Sequence, residues 1–411
     1  MTAKPRVGAV TVEPSGLRSE TVRSANLSTV LRALHLDGPM SRSDMVARTG
    51  LTRSAIGALI GELARAGLVV ERPAVSDGSP GRPSPVAVVR SEHNVALAVD
   101  VLVDSIGVAA VGLGGVVLDS VRVDRPRSRV SVERTVDDIV DAVAKVEGGR
   151  VPSSRIVGMG VGVAGIVRRS DGTVMFAPNL GWRDVPFGHL LHEALGARFD
   201  LLVANEADLA VLAEVRRGAA RGVDDVVCIW GEVGVGGGFV ARGEPITGAS
   251  GFAGEVGHMP INPDGLHCQC GSIGCWETEV GEGSLLRRTG RRADGGRAEV
   301  EAVLAEAAAG APAVLEALAV EARWLGIGLS GLINAFNPST VVLGGLFGRL
   351  HPHIHAALDA EIGRRATASA RAGLQVVPSQ LGADTVLLGA AELAFEALLA
   401  DPLGSTVDNA R

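Results

Sequence analysis

The pattern of apolar residues changes near residue 90, and this change most strongly limits what the chain can fold into. Before it, apolar side chains recur at helical spacing, for example between Leu27 and Leu34. After it, short valine-rich segments end at glycines and alternate with alanine-rich helical segments. Because 411 residues exceed what one hydrophobic core usually serves, we expect a mainly helical domain at residues 21–90 and an α/β domain at residues 91–411.

Charge is divided at the same place. Residues 1–90 hold 12 basic and 7 acidic residues, whereas the whole chain holds 39 and 46 and has a net charge of −7. A basic module on an acidic body indicates that the first part meets a polyanion, although a solvated surface would have the same balance. No apolar run approaches the roughly 18–20 residues of a membrane span, and residues 1–20 resemble a flexible tail without a signal core. We therefore expect a cytoplasmic protein that does not bind membranes.

The basic part contains the pattern of a winged helix-turn-helix. Ser41 and Thr52 are suitable N-caps for a second and a third helix, and the turn between these helices is short. The predicted segments are a helix over 24–36, a short helix ending at Gly50, a helix over 53–66, and strands at 68–70 and 86–89. A three-helix bundle that only binds other proteins remains the alternative.

If DNA is the target, the third helix enters the major groove with its N-terminal end leading. Arg53 and Ser54 are then the first side chains able to reach base edges or phosphates, and Ala55 allows close approach. Arg82, between glycine and proline, would suit a minor groove, although it could be an ordinary loop arginine. The predicted DNA-binding residues are Ser41, Thr52, Arg53, Ser54, Ala55 and Arg82.

A histidine and three cysteines lie within eighteen residues: His258, Cys268, Cys270 and Cys275. One imidazole and three thiolates form a complete tetrahedral set for Zn²⁺. Since four protein ligands leave no position for water, we expect a structural zinc. Unpaired thiols or a redox pair remain alternatives, and His267 could replace His258 as the fourth ligand.

Five motifs in the α/β part resemble those of the ROK family (repressors, open reading frames and sugar kinases). The strongest is the spacing H-x9-C-x-C-x4-C-W-E, which starts at His258 and overlaps an E-x-G-H signature beginning at Glu255. The others are the loop Phe176–Trp182, the segment Asn205–Asp208, the glycine turn Gly234–Gly238 and the stretch from Asn337 to Gly345. The resemblance extends over most of residues 93–400.

Resemblance to this family implies a two-lobed, actin-like ATPase (ribonuclease H-like) fold with a sugar between the lobes. It implies one lobe at about 93–205 plus a C-terminal helix at 385–400, and a second lobe at about 206–384. Carboxylates, amides and an imidazole suit vicinal sugar hydroxyls. The implied sugar-binding residues are Asn179, Asn205, Glu206, Glu255, His258 and Glu277. For Asn179 and Glu277, an ordinary loop role is the alternative.

The chain departs from the kinases of this family where they hold phosphates and abstract a proton. Their first phosphate loop reads D-x-G-x-T, whereas here Asp100 is followed by Leu102 and Asp104. Their second phosphate loop begins with glycine, which is Glu232 here. Their catalytic aspartate is replaced by Glu206, and displacing a reacting carboxylate by about 1 Å can cost about 100-fold in rate. These changes predict that phosphoryl transfer is lost and that the protein is not an enzyme.

Together these features predict a sugar-responsive transcriptional regulator, most simply a repressor of carbohydrate metabolism or uptake. Its expected partners are operator DNA, a sugar effector and further copies of the chain in a homodimer or homotetramer. Two alternatives remain open. One is an active ROK sugar kinase with an accessory DNA-binding domain, and the other is a regulator whose sensor binds a protein instead of a sugar.

Overall fold

The structure, a computed structural model, describes residues 19–73, 85–127, 130–151 and 154–404. The chain divides into two compact units. One contains the described residues up to Val88 together with those from Ala397 onward, and the other runs from Val89 to Glu396. The sequence pattern placed the boundary at residue 90 but assigned all of 91–411 to the second domain.

The N-terminal unit is the predicted winged helix-turn-helix, with three helices and a three-stranded sheet in the order β1-β3-β2. Its elements are α1 (Ser19–Asp37), β1 (Met40–Ser41), α2 (Arg42–Thr49), α3 (Arg53–Arg65), β2 (Val69–Arg72) and β3 (Val86–Val89). The apolar stripes meet in a small core around Leu31, Met45 and Ile56, all of which are fully buried. The two-residue strand β1 was not predicted; it pairs with β3. Arg82 and most of the predicted tail lie outside the described residues.

Local chemistry fixes the turn between α2 and α3. Ser41 begins α2 with a capping box, because its hydroxyl accepts from the Asp44 N–H at 3.2 Å while its own N–H donates to the Asp44 carboxylate at 3.1 Å. Gly50 ends α2 at φ 71°, a left-handed conformation that favours glycine. Thr52 then caps α3 by accepting from the Ala55 N–H at 3.3 Å. Both caps and the stop at Gly50 confirm the sequence prediction.

The second unit contains two five-stranded sheets built on one plan. The first has the order β11-β7-β4-β5-β6, in which β4 to β6 form an antiparallel meander and β7 and β11 are parallel to β4. We call this sheet and its covering elements the first lobe. Its elements are β4 (Asn94–Val101), β5 (Ser105–Gly112), β6 (Val116–Asp124), α4 (Val132–Gly148), β7 (Arg155–Val163), β8 (Ile166–Arg168), β9 (Thr173–Ala177), β10 (Trp182–Val185), α5 (Phe187–Ala194) and β11 (Leu201–Asn205).

The second sheet repeats this plan in the order β14-β13-β12-β15-β16. We call this sheet and the helices on it the second lobe. Its elements are α6 (Glu206–Arg217), β12 (Val226–Gly231), β13 (Val235–Ala241), β14 (Glu244–Pro245), α7 (Trp276–Val280), α8 (Glu282–Arg288), α9 (Arg297–Ala308), α10 (Pro312–Phe336), β15 (Thr340–Gly345), α11 (Leu346–Arg365), α12 (Ala368–Arg371) and β16 (Gln375–Pro378). Helix α10 begins with Pro312, a residue favoured at the first position of a helix.

The last helix, α13 (Thr385–Ala400), packs on the first sheet along β7. A Cβ added to Gly160 in β7 would lie 1.9 Å from the Ala390 carbonyl oxygen, so glycine permits this close approach of helix and strand. Each lobe has its own hydrophobic core, with Trp276 fully buried in the second. Within the described residues, no single helix is long and apolar enough to span a membrane. Helices α9 and α10 taken together have the length and hydropathy of a span, but the two are bent by 106° relative to each other.

Candidate functional site

A cavity of about 530 Å³ opens where strands of both sheets end. Asp100 lies near the end of β4, Asn205 ends β11, Glu232 follows β12 and Gly345 ends β15; all four line the cavity. In α/β proteins, ligands bind at the carboxyl ends of strands, where loops and helix starts converge. The repeated sheet plan therefore directs side chains from both lobes into one space.

All six predicted sugar-binding residues line this cavity. They are Asn179, Asn205, Glu206, Glu255, His258 and Glu277. The sequence separates the first from the last by almost a hundred residues, and the fold brings them together. Their contact with a sugar remains a prediction.

Asn205 and Glu206 are positioned by the start of α6. The Asn205 side-chain oxygen accepts from the Ala207 N–H at 2.7 Å, and its amide nitrogen donates to the Gly165 carbonyl at 2.9 Å. Asn205 is therefore held rigidly, with one amide N–H left for a ligand. Glu206 is buried, and its Oε2 atom has no hydrogen-bond partner among the described residues.

Acidic groups accumulate in the cavity. Burial raises the pKa of Glu206 to about 8, and nearby Asp100 contributes to the rise. Burial likewise raises the pKa of Glu232 to about 7, and that of Asp100 to about 6 against the opposing effect of Arg122. Near neutral pH this part of the cavity therefore holds carboxyl groups in both protonation states, which suits a hydroxyl-rich ligand better than a phosphate.

The four predicted metal ligands converge beside this cavity. The His258, Cys268, Cys270 and Cys275 ligand atoms all lie within 4.8 Å of one another. The Cys268 sulfur lies 3.6 Å from His258 Nδ1, and the Cys270 and Cys275 sulfurs are 3.6 Å apart. Tetrahedral zinc with Zn–S bonds of about 2.3 Å would place two sulfurs about 3.8 Å apart. The donor set and its spacing therefore fit a tetrahedral metal, with His258 rather than His267 as the fourth ligand.

His258 belongs both to the set of four possible metal ligands and to the lining of the cavity. Its Nδ1 atom faces the thiols, and its Nε2 atom lies 3.8 Å from the Glu255 carboxylate. On the other side, the Glu277 carboxylate accepts from the Cys268 thiol at 2.9 Å. The loop is anchored by Trp276, whose indole N–H donates to the Trp324 carbonyl at 3.0 Å.

The altered phosphate loops face the same cavity. Leu102, Asp104 and Glu232 all line it. Sequence reasoning missed several cavity-lining side chains, among them Arg127, Glu282 and Arg297. Arg127 and Glu282 bond to each other across 155 residues of sequence, so no local motif could have linked them.

The predicted DNA-reading end of α3 is open to solvent. Arg53 and Ser54 are exposed, and Ala55 is half-buried. In the part of the chain that the structure describes, Arg53 forms no ion pair, whereas Arg42 pairs with Glu71 and Arg48 with Asp37. The Ser41 hydroxyl is engaged in its capping box. Arg53 is thus available for a ligand.

Some known proteins match only the α/β unit of this chain, and others match nearly the whole chain. The ROK family model matches residues 96–397. A Xylose repressor of Bacillus subtilis is 28% identical over 383 residues, covering 92% of this chain and 97% of that protein. A Glucokinase of Streptomyces coelicolor is 35% identical over 288 residues, covering 65% of this chain and 89% of that protein.

Among solved structures too, a regulator matches nearly the whole chain and a kinase matches a smaller part of it. A ROK family transcriptional regulator, described as a homolog of the E. coli MLC protein, has a TM-score of 0.76 at 23% identity and covers 94% of this chain and 100% of its own. This likeness concerns the fold. A ROK family glucokinase from Streptomyces griseus, in complex with glucose and AMPPNP, has a TM-score of 0.64 at 32% identity and covers 73% of this chain and 98% of its own.

We expect Glu206→Gln to alter the pH dependence of stability. Between about pH 5 and 8 the folded protein keeps a proton on Glu206 that the unfolded chain releases, so stability falls as pH rises, by up to about 1.4 kcal/mol per pH unit. Glutamine removes this pH-dependent loss. As pH rises from about 5 to 8, the Tm of the variant should therefore fall less than that of the wild type. Glu193→Gln removes an exposed carboxylate from α5 and serves as the control. Identical Tm profiles for Glu206→Gln and the wild type would contradict the buried, protonated state.

Proposed function

The chain belongs to the ROK family, and we propose that it is a sugar-responsive transcriptional repressor of carbohydrate metabolism or uptake. The observation that carries this proposal is the presence, in one chain, of a winged helix-turn-helix and a cleft lined by six sugar-binding candidates. The Xylose repressor match supports it, because that match includes nearly the whole of both proteins. The Glucokinase match covers only 65% of this chain.

The N-terminal unit is proposed to bind operator DNA through α3. A winged helix-turn-helix inserts its recognition helix into the major groove, with side chains at the N-terminal end nearest the bases. Arg53 and Ser54 are exposed there, and Thr52 positions them by capping the helix. Ser41 would act through the start of α2, since its hydroxyl serves the cap. Arg82 is proposed to contact the minor groove from the wing.

The cleft is proposed to bind a neutral monosaccharide. Asn205 offers an amide N–H, whereas Glu206, Glu255 and Glu277 offer carboxyl oxygens, and such groups bind vicinal hydroxyls. The names of the relatives direct the first choice of probes to D-xylose and D-glucose. A sugar that binds one relative arrangement of the lobes more tightly would shift the population toward it, and this shift would change the affinity for DNA.

We also propose that His258, Cys268, Cys270 and Cys275 hold one structural Zn²⁺. Four protein ligands complete a tetrahedral site, so the metal would stabilise the loop and take no part in a reaction. The position of His258 between thiols and cavity makes the sugar site depend on the integrity of this loop.

Phosphoryl transfer is proposed to be absent. Leu102 and Asp104 occupy positions where the family's kinases have glycine and threonine, and Glu232 adds a further carboxyl group to the cavity. Negative side chains at a phosphate position repel the substrate. A homodimer or homotetramer acting in the cytoplasm completes the proposal, because paired DNA-binding units read half-sites separated by whole helical turns.

Arg53→Ala should weaken binding to a DNA fragment from the region upstream of the protein's own gene. The loss should be about 1–3 kcal/mol if the guanidinium contacts a guanine edge, and it should be specific to the operator sequence. A phosphate contact instead predicts weaker binding to all sequences and a salt slope shallower by about one unit. Titrations at several salt concentrations, with and without D-xylose or D-glucose, distinguish the two.

Arg65→Ala is the matched control for this experiment, because it removes the same charge from the same helix about 18 Å further along. It should leave sequence preference unchanged. If the intact protein binds no upstream fragment at low salt under any sugar condition, the repressor function is wrong and α3 belongs to a protein-interaction module.

Purified protein should contain about one zinc per chain, and Cys268→Ala should abolish it. Without the metal the loop loses its cross-link, so the Tm of the variant should fall to that of chelator-treated wild type. Cys228→Ala is the control, since this thiol is buried in β12, outside the metal group. Elemental analysis and thermal unfolding measure both effects. Wild-type protein free of zinc after purification without chelator would contradict the site.

A coupled ADP-release assay with D-xylose and D-glucose should detect no ATP-dependent phosphorylation. Glu206→Asp alone should not restore activity, because Leu102, Asp104 and Glu232 still obstruct the phosphates. A ROK glucokinase assayed in parallel provides the positive control. A turnover of about 1 s⁻¹ or more would place the protein within the usual enzyme range and favour a sugar kinase with an accessory DNA-binding domain.

A further inference from the structure

Four charged side chains meet in the cavity and connect the two lobes. Asp104, in the turn between β4 and β5, and Arg127, which follows β6, belong to the first lobe. Glu282 and Arg297 are the first residues of α8 and α9 in the second lobe. We call these four residues the cleft cluster; all of them line the cavity.

The cleft cluster is built around the Asp104 carboxylate. Oδ2 of Asp104 accepts from Arg127 at 3.0 and 3.3 Å, and Oδ1 accepts from Arg297 at 3.2 Å. Each carboxylate oxygen is therefore held by a guanidinium from a different lobe. Arg127 also bonds both oxygens of Glu282, in one case at 2.9 Å, so it too joins the lobes.

Further contacts fix the two arginines. Arg297 donates to the Ser105 hydroxyl at 3.2 Å, and Arg122 donates to the same oxygen at 3.0 Å. Arg127 is 19% exposed, and Asp104 and Glu282 are 17% and 8% exposed. The pairs that Arg127 forms with Asp104 and Glu282 are thus largely removed from water, whereas Arg297 is 46% exposed and pairs with Asp104 nearer the solvent. By contrast, the pair between Arg292 and Asp294 just before α9 is 84% and 71% exposed, as is typical of a pair with little energetic weight.

We propose that Arg127 and Arg297 form an oxyanion site in the cleft, and that the Asp104 carboxylate is its resident ligand, joining the lobes in place of an external phosphate. Guanidinium groups bind carboxylates and phosphates through the same planar array of donors. The inference rests on the proposed function only in that the same two lobes enclose the proposed sugar site. It requires neither a particular sugar nor DNA binding.

A tethered ligand has two consequences. Because Asp104 is part of the chain, its effective concentration at the two arginines is far higher than that of a free anion, and a phosphate must displace it to bind. The lobes are also linked by charge in the absence of any nucleotide. Removing one partner from the largely buried pairs of Arg127 leaves an uncompensated charge, so the cleft cluster favours the arrangement of lobes in which these pairs are complete.

Asp104→Asn in the full-length protein tests the oxyanion site, because it keeps the shape of the side chain and removes its charge. Inorganic tripolyphosphate is the probe, and calorimetry at low salt measures its affinity. We expect Asp104→Asn to bind tripolyphosphate at least about 10-fold more tightly than the wild type. Asp294→Asn, which releases the exposed Arg292, is the matched control and should bind like the wild type. No gain for Asp104→Asn, or an equal gain for both variants, would overturn the oxyanion site.

Hydrogen exchange tests the link between the lobes. Two segments are measured, the β4–β5 turn and the stretch from α8 to the start of α9. In Asp104→Asn and in Arg127→Gln, their amides should exchange at least about 10-fold faster than in the wild type. Arg292→Gln, the control, should exchange as the wild type does. Unchanged exchange in either segment of both cluster variants would overturn the proposed link. Neither measurement uses a sugar or DNA, so a failed repressor assay and a failed cleft cluster are distinguishable.

Discussion

The cavity between the lobes buries more carboxyl groups than its arginines can neutralise, and its properties depend on this excess. The repeated sheet plan places Asp100, Glu206 and Glu232 at strand ends that face one cavity. Water removal raises the pKa of each, and the Oδ1 atom of Asp100 has no hydrogen-bond partner within the described parts of the chain. Such groups destabilise the protein unless protons or a polar ligand satisfy them. A hydroxyl-rich ligand can supply these bonds, whereas a phosphate adds like charge.

Two arginines of the cavity, Arg127 and Arg297, relieve only part of this excess, because the carboxylates of Asp104 and Glu282 hold them. Arg127 bonds Asp104 and Glu282, and Arg297 bonds Asp104. We propose that the pairing of Arg127 and Arg297 within the chain, together with the acidic groups that face the ligand, disfavours the binding of nucleotides. In the proposed function, a scaffold shared with glucokinases serves as a sensor, because Arg127 and Arg297 would join the lobes where a phosphate could otherwise bind.

Sequence patterns predicted much of the fold and of the site, and the misses have physical causes. The N-terminal helices were predictable because caps such as Ser41 and the stop at Gly50 act locally. Helix α11 was missed because Gly348 and Pro352 resemble helix breakers; Pro352 is exposed, and burial of Leu350 and similar side chains sustains the helix. The short strands β8 to β10 have no strong period. The sugar-site candidates were found through motifs, whereas the cleft cluster depends on pairs more than 150 residues apart in sequence.

His258 gives the proposed zinc a role beyond holding a loop. If Nδ1 binds the metal, the imidazole is fixed in the tautomer that carries its proton on Nε2. That N–H is then a donor on the side of Glu255, whose carboxylate lies 3.8 Å away. Without the metal, the ring could place its proton on either nitrogen and rotate. The orientation of a donor in the sugar site would therefore depend on zinc, although no sugar atom needs to touch the metal.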